Sequence, residues 1–193
     1  MSTASRRSQP SPFVLLQRDR LCAAAALGPV LDLACGRGRH ACLLGSWGLR
    51  VVALDRDRGA LADLAADARS AALPVDPLCA DAETAAGLPF PPASFGAIVV
   101  TRFLFRPLSA TLVAALKPAG LLVYETFTER NRIFRQGPVD PKFLLREGEL
   151  PGLFPGLEVL AFQEGPRLRP GTGGEEAVAS LAARKPCPRN RSS

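Results

Sequence analysis

The sequence contains few of the residue types on which metal sites and nucleophilic catalysis depend. There is one histidine, His40, and none of the five cysteines belongs to a C-x-x-C pair. We therefore expect no metal site, because neither the zinc ligands nor their usual spacing is present. A Ser-His-Asp or Cys-His mechanism would have to use His40. We interpret His40 as a pocket wall or a helix-face residue rather than a catalytic base.

Long apolar runs are also missing. No run approaches the roughly 20 residues that a membrane-spanning helix needs. Residues 1–10 are polar and lack the apolar core of a signal peptide. An odd number of cysteines without such a signal indicates reduced, mostly buried thiols. We therefore expect a cytoplasmic protein with no membrane partner.

Acidic residues are outnumbered, since 24 Lys and Arg residues against 18 Asp and Glu residues give a net charge of +6. Such a surplus is compatible with nucleic acid as a partner. The arginines are scattered, however, several lie in the terminal segments, and no basic stripe with interleaved aromatics is present. A basic, solvated surface is therefore favoured over nucleic-acid binding. The sequence does not indicate the oligomeric state.

Apolar runs alternate with helical patterns along most of the chain. The alternation predicts an α/β protein with a doubly wound, mostly parallel sheet. Predicted helices cover residues 13–26, 38–47, 58–71 and 108–116, and predicted strands cover residues 30–34, 49–54, 74–80, 96–101, 121–126, 157–164 and 176–184. A polar stretch from residue 127 to about 151 interrupts the alternation of strands and helices. We predict that this stretch covers the substrate and contains a short helix near residues 141–146. We expect a disordered tail at residues 1–11, a single domain at residues 12–184 and a loose tail at residues 185–193.

Two acidic residues end neighbouring apolar runs. Asp32 ends the first run and is followed by the small residues of A-C-G-R-G, and Asp55 ends the next run. Glycines allow close approach of the backbone to a ligand, and the helix that follows offers free N–H groups at its start. An acid at the tip of the second strand can bind both hydroxyls of a ribose. The pattern therefore predicts a nucleotide pocket.

The glycines also fit a dinucleotide pattern, G-x-G-x-x-G/A, over residues 36–41. In that fingerprint the first glycine follows the strand directly, whereas Asp32 stands there in this chain. A carboxylate at the strand end would repel a diphosphate. A cofactor with a positively charged amine suits the position better.

The stretch D-L-A-C-G-R-G at residues 32–38 resembles the D/E-x-G-x-G-x-G motif of class I S-adenosylmethionine (SAM) dependent methyltransferases. Ala34 replaces the first glycine. The resemblance covers residues 30–184 and implies the Rossmann-like, seven-stranded sheet of this family with its antiparallel last strand. It also implies methyl transfer with SAM as cofactor. Residues 124–128 and 143–150 further resemble small bacterial enzymes of the tellurite-resistance methyltransferase group.

The resemblance implies roles for individual residues. Asp32 would bind the methionine amine, Asp55 both ribose hydroxyls, and Asp81 the exocyclic amine of adenine, although Asp81 also fits a structural N-cap. The remaining implied cofactor contacts are Ala34, Cys35, Gly36 and Gly38 along the methionine, Arg56 and Ala82 at the adenine, and Thr101 near the methyl group. The candidates for the acceptor pocket are Arg102, Phe103, Tyr124 and Glu125, with Arg106 as a further cation and Glu125 as the base if one is required.

Three hypotheses remain open from the sequence. The first is methyl transfer to a small-molecule acceptor, and the second is the same chemistry on RNA or protein, which the basic charge favours. The third is an NAD(P)-binding oxidoreductase or a nucleotide-binding module without catalysis, because Asp55 followed by Arg56 is compatible with recognition of a dinucleotide ribose. The chain lacks the N/D-P-P-Y/F tetrad of enzymes that methylate amino groups of nucleic acids, which disfavours methylation of DNA bases.

Overall fold

A seven-stranded sheet forms the centre of the molecule. The computed structural model describes residues 9–84, 87–135, 137–171 and 173–187. The strands are β1 (Val30–Leu33), β2 (Val51–Asp55), β3 (Val75–Cys79), β4 (Phe95–Thr101), β5 (Leu116–Phe127), β6 (Glu158–Leu168) and β7 (Glu175–Arg184). Their order is β3-β2-β1-β4-β5-β7-β6. Strands β1 to β5 are parallel, and β7 is antiparallel to both β5 and β6. The predicted sheet with a reversed last strand is confirmed.

Helices cover both faces of the sheet, as expected for strands that are apolar along their whole length. They are α1 (Pro12–Leu16), α2 (Arg18–Ala25), α3 (Arg39–Ser46), α4 (Arg58–Ser70), α5 (Ser109–Ala115) and α6 (Glu149–Gly152). Helices α1 to α4 pack on one face, where Val30 and Val99 point, and α5 and α6 pack on the other, with Leu31 and Ile98. The sheet therefore has an apolar core on each side.

The carboxyl ends of β1, β2, β4 and β5 lie at one edge of the sheet because these strands are parallel. This edge carries Asp32, Asp55, Thr101 and Glu125. In open α/β sheets, ligands bind in the crevice outside this edge, where the strand order reverses direction. Here the reversal lies between β1 and β4.

Two predicted elements differ from the structure. The helix predicted at residues 13–26 is two helices, because Gln17 leaves helical geometry (φ −92°, ψ 9°) and caps α1. The strand predicted at residues 121–126 begins earlier, at Leu116, which pairs with Phe95 before the chain turns at Ala119 with φ 62°. Residues 117–120, which lie between the predicted helix and the predicted strand, therefore belong to β5.

The helix predicted near residues 141–146 of the cover segment is shorter than expected, and a 3-10 helix at Glu129–Phe134, which was not predicted, precedes it. A 3-10 turn spans Pro141–Phe143, and α6 follows it. The predicted domain spans residues 12–184, and the residue on either side of it, Ser11 and Lys185, also contacts it. Ser11 is buried, and the Lys185 ammonium donates to the carbonyl oxygens of Val113 and Leu116 at 2.7 Å each. Most of the predicted tails, residues 1–8 and 188–193, lies outside the described residues.

None of the described helices combines the length and the apolar character that crossing a membrane requires.

Candidate cofactor site

The loop between β1 and α3 is fastened to the end of β2 by Asp55. One carboxylate oxygen of Asp55 accepts the N–H of Gly36 at 2.7 Å, and the other accepts the N–H of Asp57 at 2.9 Å. A carboxylate has about four lone-pair positions, so each oxygen keeps capacity for one more donor. Asp55 is half-buried. It can therefore position the loop and still accept two hydroxyl groups of a ligand.

The loop needs left-handed backbone geometry at three positions. Ala34 and Gly36 both have φ 53°, and Gly38 has φ 74°. Ala34 thus adopts a conformation that glycine reaches without a steric penalty, whereas a Cβ costs about 1–2 kcal/mol there. A Cβ added to Gly36 would meet nothing within 4 Å, whereas one on Gly38 would overlap the side chain of Leu64. Gly36 therefore borders open space, and Gly38 allows α3 to pack closely against α4.

Asp32 is buried with one carboxylate oxygen, Oδ2, that has no hydrogen-bond partner among the described residues. Its side chain belongs to a residue that is only 1% exposed. The pKa of Asp32 is raised to about 7, chiefly by burial and also by neighbouring Asp55, while the Ala41 N–H and the Arg39 guanidinium act in the opposite direction. A buried acceptor without a partner is costly in a folded protein. An organic ammonium group is the kind of ligand that would satisfy it.

One cavity collects most of the residues implied for the adenosine part of the cofactor. This cofactor cavity is lined by Ala34, Asp55, Arg56, Asp81, Ala82 and Phe103, among others. Phe103, implied for the acceptor pocket, therefore borders the cofactor cavity instead. Cys35, Gly36, Gly38 and Thr101 are not part of the cavity lining, and neither is Asp32. Asp32 nevertheless lies near enough to Asp55 for the two carboxylates to interact.

Asp81 and Arg56 form the outer rim of the cofactor cavity. One oxygen of Asp81 accepts the N–H of Glu83 at 2.9 Å, and the other lies 4.0 Å from the Arg56 guanidinium. Arg56 also lies 3.4 Å from a carboxylate oxygen of Glu83. The bond that Asp81 accepts from Glu83 resembles an N-cap bond. None of the described residues between Asp81 and β4 forms a helix, however, so they do not support the predicted alternative of a helix N-cap. Asp81 keeps acceptor capacity toward the cavity.

The Cys35 thiol is unsuited to nucleophilic chemistry. Burial, and then the carboxylates of Asp32 and Asp55, raise its pKa far above the usual range. Its Sγ lies 3.6 Å from the carbonyl oxygen of Gly36. Cys35 therefore contributes shape to the loop rather than a thiolate.

Glu125, the predicted candidate base, is held in a buried ion pair. Its two oxygens accept from both Nη atoms of Arg167 at 2.7 Å. One oxygen also accepts the hydroxyls of Ser11 at 2.8 Å and Ser180 at 2.9 Å. Glu125 is 1% exposed. With four donors on its carboxylate, it fastens the N-terminal segment and β7 to the sheet edge.

The other residues implied for the acceptor pocket also have structural partners. Arg102 donates to Glu176 at 3.1 Å, and Arg106 donates to both oxygens of Glu149 at 2.6 and 2.9 Å. The buried Tyr124 hydroxyl donates to the carbonyl of Phe103 at 2.9 Å, and burial raises the Tyr124 pKa well above its usual value. These contacts shape the loop after β4.

His40 is a buried structural histidine. Its Nε2 accepts the N–H of Ser11 at 3.0 Å, so the neutral ring carries its proton on Nδ1, which lies 3.0 Å from the Thr101 hydroxyl. Burial, and then Arg39 and Arg102, lower the His40 pKa to about 3. The ring is therefore neutral at physiological pH and has both nitrogens engaged. His40 does not line the cofactor cavity, so the geometry favours the predicted helix-face role over that of a pocket wall or a catalytic base.

Arg39 is a residue of this edge that the sequence analysis did not single out. It begins α3, directly after Gly38, and one Nη atom lies 3.5 Å from the Thr101 hydroxyl. Its charge lowers the pKa of Asp32. The signal in the sequence is a cation in the first turn after the glycines. A carboxylate from Asp32 and a guanidinium from Arg39 at one edge of the sheet suit a zwitterion such as an amino acid.

Comparisons with known proteins show a similar domain and a similar fold. Residues 30–120 match the family model of the methyltransferase domain. A SAM-dependent methyltransferase from Methanosarcina mazei is 18% identical, with 93% of this chain and 100% of that chain covered and a TM-score of 0.70. TehB from Haemophilus influenzae is 23% identical, with 87% of this chain and 62% of that chain covered and a TM-score of 0.68.

A third similar structure concerns the conversion of a disulfide bond into a thioacetal group during echinomycin biosynthesis. It is 20% identical, with 92% of this chain and 83% of that chain covered and a TM-score of 0.70. The curated proteins give no match. The domain match and the shared fold confirm the predicted resemblance to class I SAM-dependent methyltransferases.

Proposed function

We propose, from the premise that residues 30–120 form a methyltransferase domain with the fold of the SAM-dependent enzymes, that this chain transfers a methyl group from SAM to a small molecule. The observation that carries the proposal is the buried Asp32 oxygen without a partner among the described residues. It lies at the strand-end crevice next to Asp55. The ammonium group of the methionine part of SAM supplies the charge and the donors that this oxygen needs.

Each polar part of SAM has a matching residue in this proposal. Asp32 binds the methionine ammonium, and Arg39 beside it binds the methionine carboxylate. Asp55 accepts the two ribose hydroxyls through the lone pairs that its backbone bonds leave over. Asp81 accepts the adenine amine.

The remaining implied contacts are less polar. The Ala82 N–H would donate to a ring nitrogen of adenine, and Arg56 would lie against the adenine face. The loop residues Ala34, Cys35 and Gly36 would line the methionine. Thr101, which His40 and Arg39 hold in place, stands at the end of β4 where the methyl group would lie.

The bound cofactor supplies a methyl group on a positively charged sulfur, which needs no further activation. The chain then has to hold the acceptor in line with that group and exclude water. The candidate proton acceptors at the edge are occupied: Glu125 by Arg167 and two hydroxyls, and His40 by Ser11 and Thr101. An acceptor that loses its proton readily in water, such as a thiol, would need no base from the protein.

Two observations favour a small acceptor. A second cavity shares Glu83 with the cofactor cavity and lies between the loop after β4 and the cover segment. The echinomycin-related neighbour concerns sulfur chemistry on a small natural product. The net charge of +6 instead favours RNA, which is the second candidate acceptor.

The experiment is incubation of the protein with SAM labelled in its methyl group and with a panel of acceptors. The panel contains thiols, metalloid anions, small organic acids and bulk RNA. Label in one of the small molecules supports the proposal, whereas label only in RNA or in protein contradicts it. A parallel calorimetric titration with SAM and with NADH tests the dinucleotide hypothesis, because heat with NADH alone would favour an oxidoreductase.

A further inference from the structure

A second cavity of about 400 Å³ adjoins the cofactor cavity. We call it the side cavity, and its lining is apolar at Leu104, Phe105, Pro107 and Phe143 and charged at Glu83, Arg106 and Lys142. Glu83 lines both cavities, and Phe103 of the cofactor cavity directly precedes Leu104 of the side cavity. The volume falls in the range of about 300–1,000 Å³ that is typical for small-molecule sites.

The two walls of the side cavity are held together by Arg106. Its guanidinium donates to both oxygens of Glu149 and to the carbonyl oxygens of Lys142 and Leu144, the last two at 2.9 Å each. One wall is the loop after β4, and the other is the segment that includes the turn Pro141–Phe143. Because one side chain bonds to several points of the opposite wall, the cavity is built into the fold. Such preorganisation lowers the cost of binding.

The charged residues of the lining have partners of opposite charge. The Lys142 ammonium lies 3.2 Å from Asp140 and 4.7 Å from the centre of the Phe143 ring. Glu83 pairs with Arg56 at 3.4 Å, and Arg106 pairs with Glu149 as described above. None of these pairs calls for a charge on a ligand. What stays accessible is apolar surface, including Phe143, which is 37% exposed.

We propose that the side cavity binds the methyl acceptor and that the acceptor is a small molecule with a planar aromatic body. Phe105 and Phe143 offer aromatic surface to such a body. The inference rests on the proposed function and adds the class of the acceptor to it. In the reaction, a heteroatom of the acceptor gains the methyl carbon as the carbon–sulfur bond of SAM breaks. The electron pair of that bond stays on sulfur, and the proton of the acceptor passes to water.

The test compares two thiols, 2-naphthalenemethanethiol and 2-mercaptoethanol, as acceptors of label from SAM. In both, the sulfur is attached to a saturated carbon, so the two thiols ionise alike and differ in the aromatic body. The wild type and the variants Phe143→Ala and Phe162→Ala are assayed. Phe162 is a matched control because it is a phenylalanine of similar exposure, 41%, on the distant strand β6. We expect a much higher kcat/KM for 2-naphthalenemethanethiol in the wild type. Phe143→Ala should raise its KM about five- to tenfold with kcat nearly unchanged, as expected for a lost aromatic contact.

Equal efficiency with the two thiols, or the same KM in Phe143→Ala and Phe162→Ala, would overturn the inference. SAM binding is measured on all three proteins by calorimetry. Normal SAM binding with label only in metalloid anions or small acids would contradict the inference of an aromatic acceptor, and it would agree with the proposed function. Absence of SAM binding in the wild type contradicts the proposed function itself.

Discussion

Replacing Asp32 by asparagine is expected to change the stability of the protein and its affinity for SAM in opposite directions. Asp32 is 1% exposed, and one of its oxygens has no partner among the described residues. Burial raises its pKa from 3.8 to about 7. The ionised carboxylate is therefore unfavourable in the protein without cofactor, and a cationic ligand would relieve this penalty.

The magnitude follows from the difference between the two pKa values. Between about pH 4 and pH 7 the native protein keeps a proton on Asp32 that the unfolded chain loses. Stability therefore falls as pH rises across that window, by about 1.4 kcal/mol per pH unit and by roughly 4 kcal/mol in total. The asparagine side chain of the variant does not titrate, but its buried amide costs about 1–3 kcal/mol. We expect Asp32→Asn to be about 1–3 kcal/mol more stable than the wild type above pH 7, and to have no advantage near pH 4.

The affinity for SAM should move the other way. Removing one partner of a buried ion pair costs roughly 3–5 kcal/mol, which corresponds to a loss of two to three orders of magnitude in affinity. Because SAM favours the ionised carboxylate, its affinity for the wild type should rise about tenfold per pH unit from pH 5 to pH 7 and then level off. The pH dependence over this range should be absent in the variant.

The assays are urea unfolding and calorimetric titration with SAM, both at several pH values. Asp76→Asn is the control, because Asp76 is exposed on β3, away from the carboxyl edge, and neither quantity should change. A variant at position 32 that is less stable than the wild type at about pH 8, yet binds SAM normally, would refute the reasoning.

Three further predictions concern the same edge. Ala34→Gly should leave the free energy of unfolding in urea unchanged or raise it by up to about 1 kcal/mol. The reason is that glycine removes the steric penalty of the left-handed conformation, which outweighs the greater freedom that glycine gives the unfolded chain. A clear loss of stability would contradict the positive φ of Ala34. NMR of the single histidine should show a neutral His40 ring down to about pH 4.5. The free energy of unfolding should fall by about 1.4 kcal/mol per pH unit below pH 6.5, because the unfolded chain binds a proton at His40 and the native ring, with a pKa of about 3, does not. A ring that titrates near pH 6.5 would contradict its burial. Glu125→Gln should lower the free energy of unfolding by about 1–3 kcal/mol, because Arg167 loses one of its two buried carboxylate partners and keeps the other, Glu176. Lost activity at unchanged stability would instead make Glu125 a catalytic residue.

The order of strands and helices was predictable because it follows from local patterns. The apolar runs of β1 and β4 are buried along their whole length and alternate with helices of period 3.6. Asp32 and Asp55 were predictable as edge residues, since parallel strands place their ends together. The glycine pattern also predicted the loop between β1 and α3, although it did not reveal that Ala34 in this loop adopts φ 53°.

The partners of Glu125 and His40 were not predictable from local patterns. Glu125 meets Ser11, 114 residues away, and His40 meets Thr101, 61 residues away. Such pairs depend on how the N-terminal segment folds back over the sheet edge. A candidate base and a satisfied buried carboxylate look the same in a sequence, because the difference lies in the partners.

The break at Gln17 and the early start of β5 have a similar origin. Helical periodicity continues through Gln17, but the residue is buried and its backbone caps α1. Leu116 joins the sheet through its pairing with Phe95, which no local signal near the turn at Ala119 indicates. Tertiary contacts decide the boundaries of both elements.

The central claim is that the carboxyl edge of β1 and β2 binds SAM through Asp32 and Asp55. The most direct measurement is calorimetric titration of SAM into the wild type and into Asp55→Ala, with the fold of both proteins checked by circular dichroism. The account predicts one SAM site in the wild type and no detectable binding to the folded variant. Undiminished SAM affinity in Asp55→Ala would contradict it.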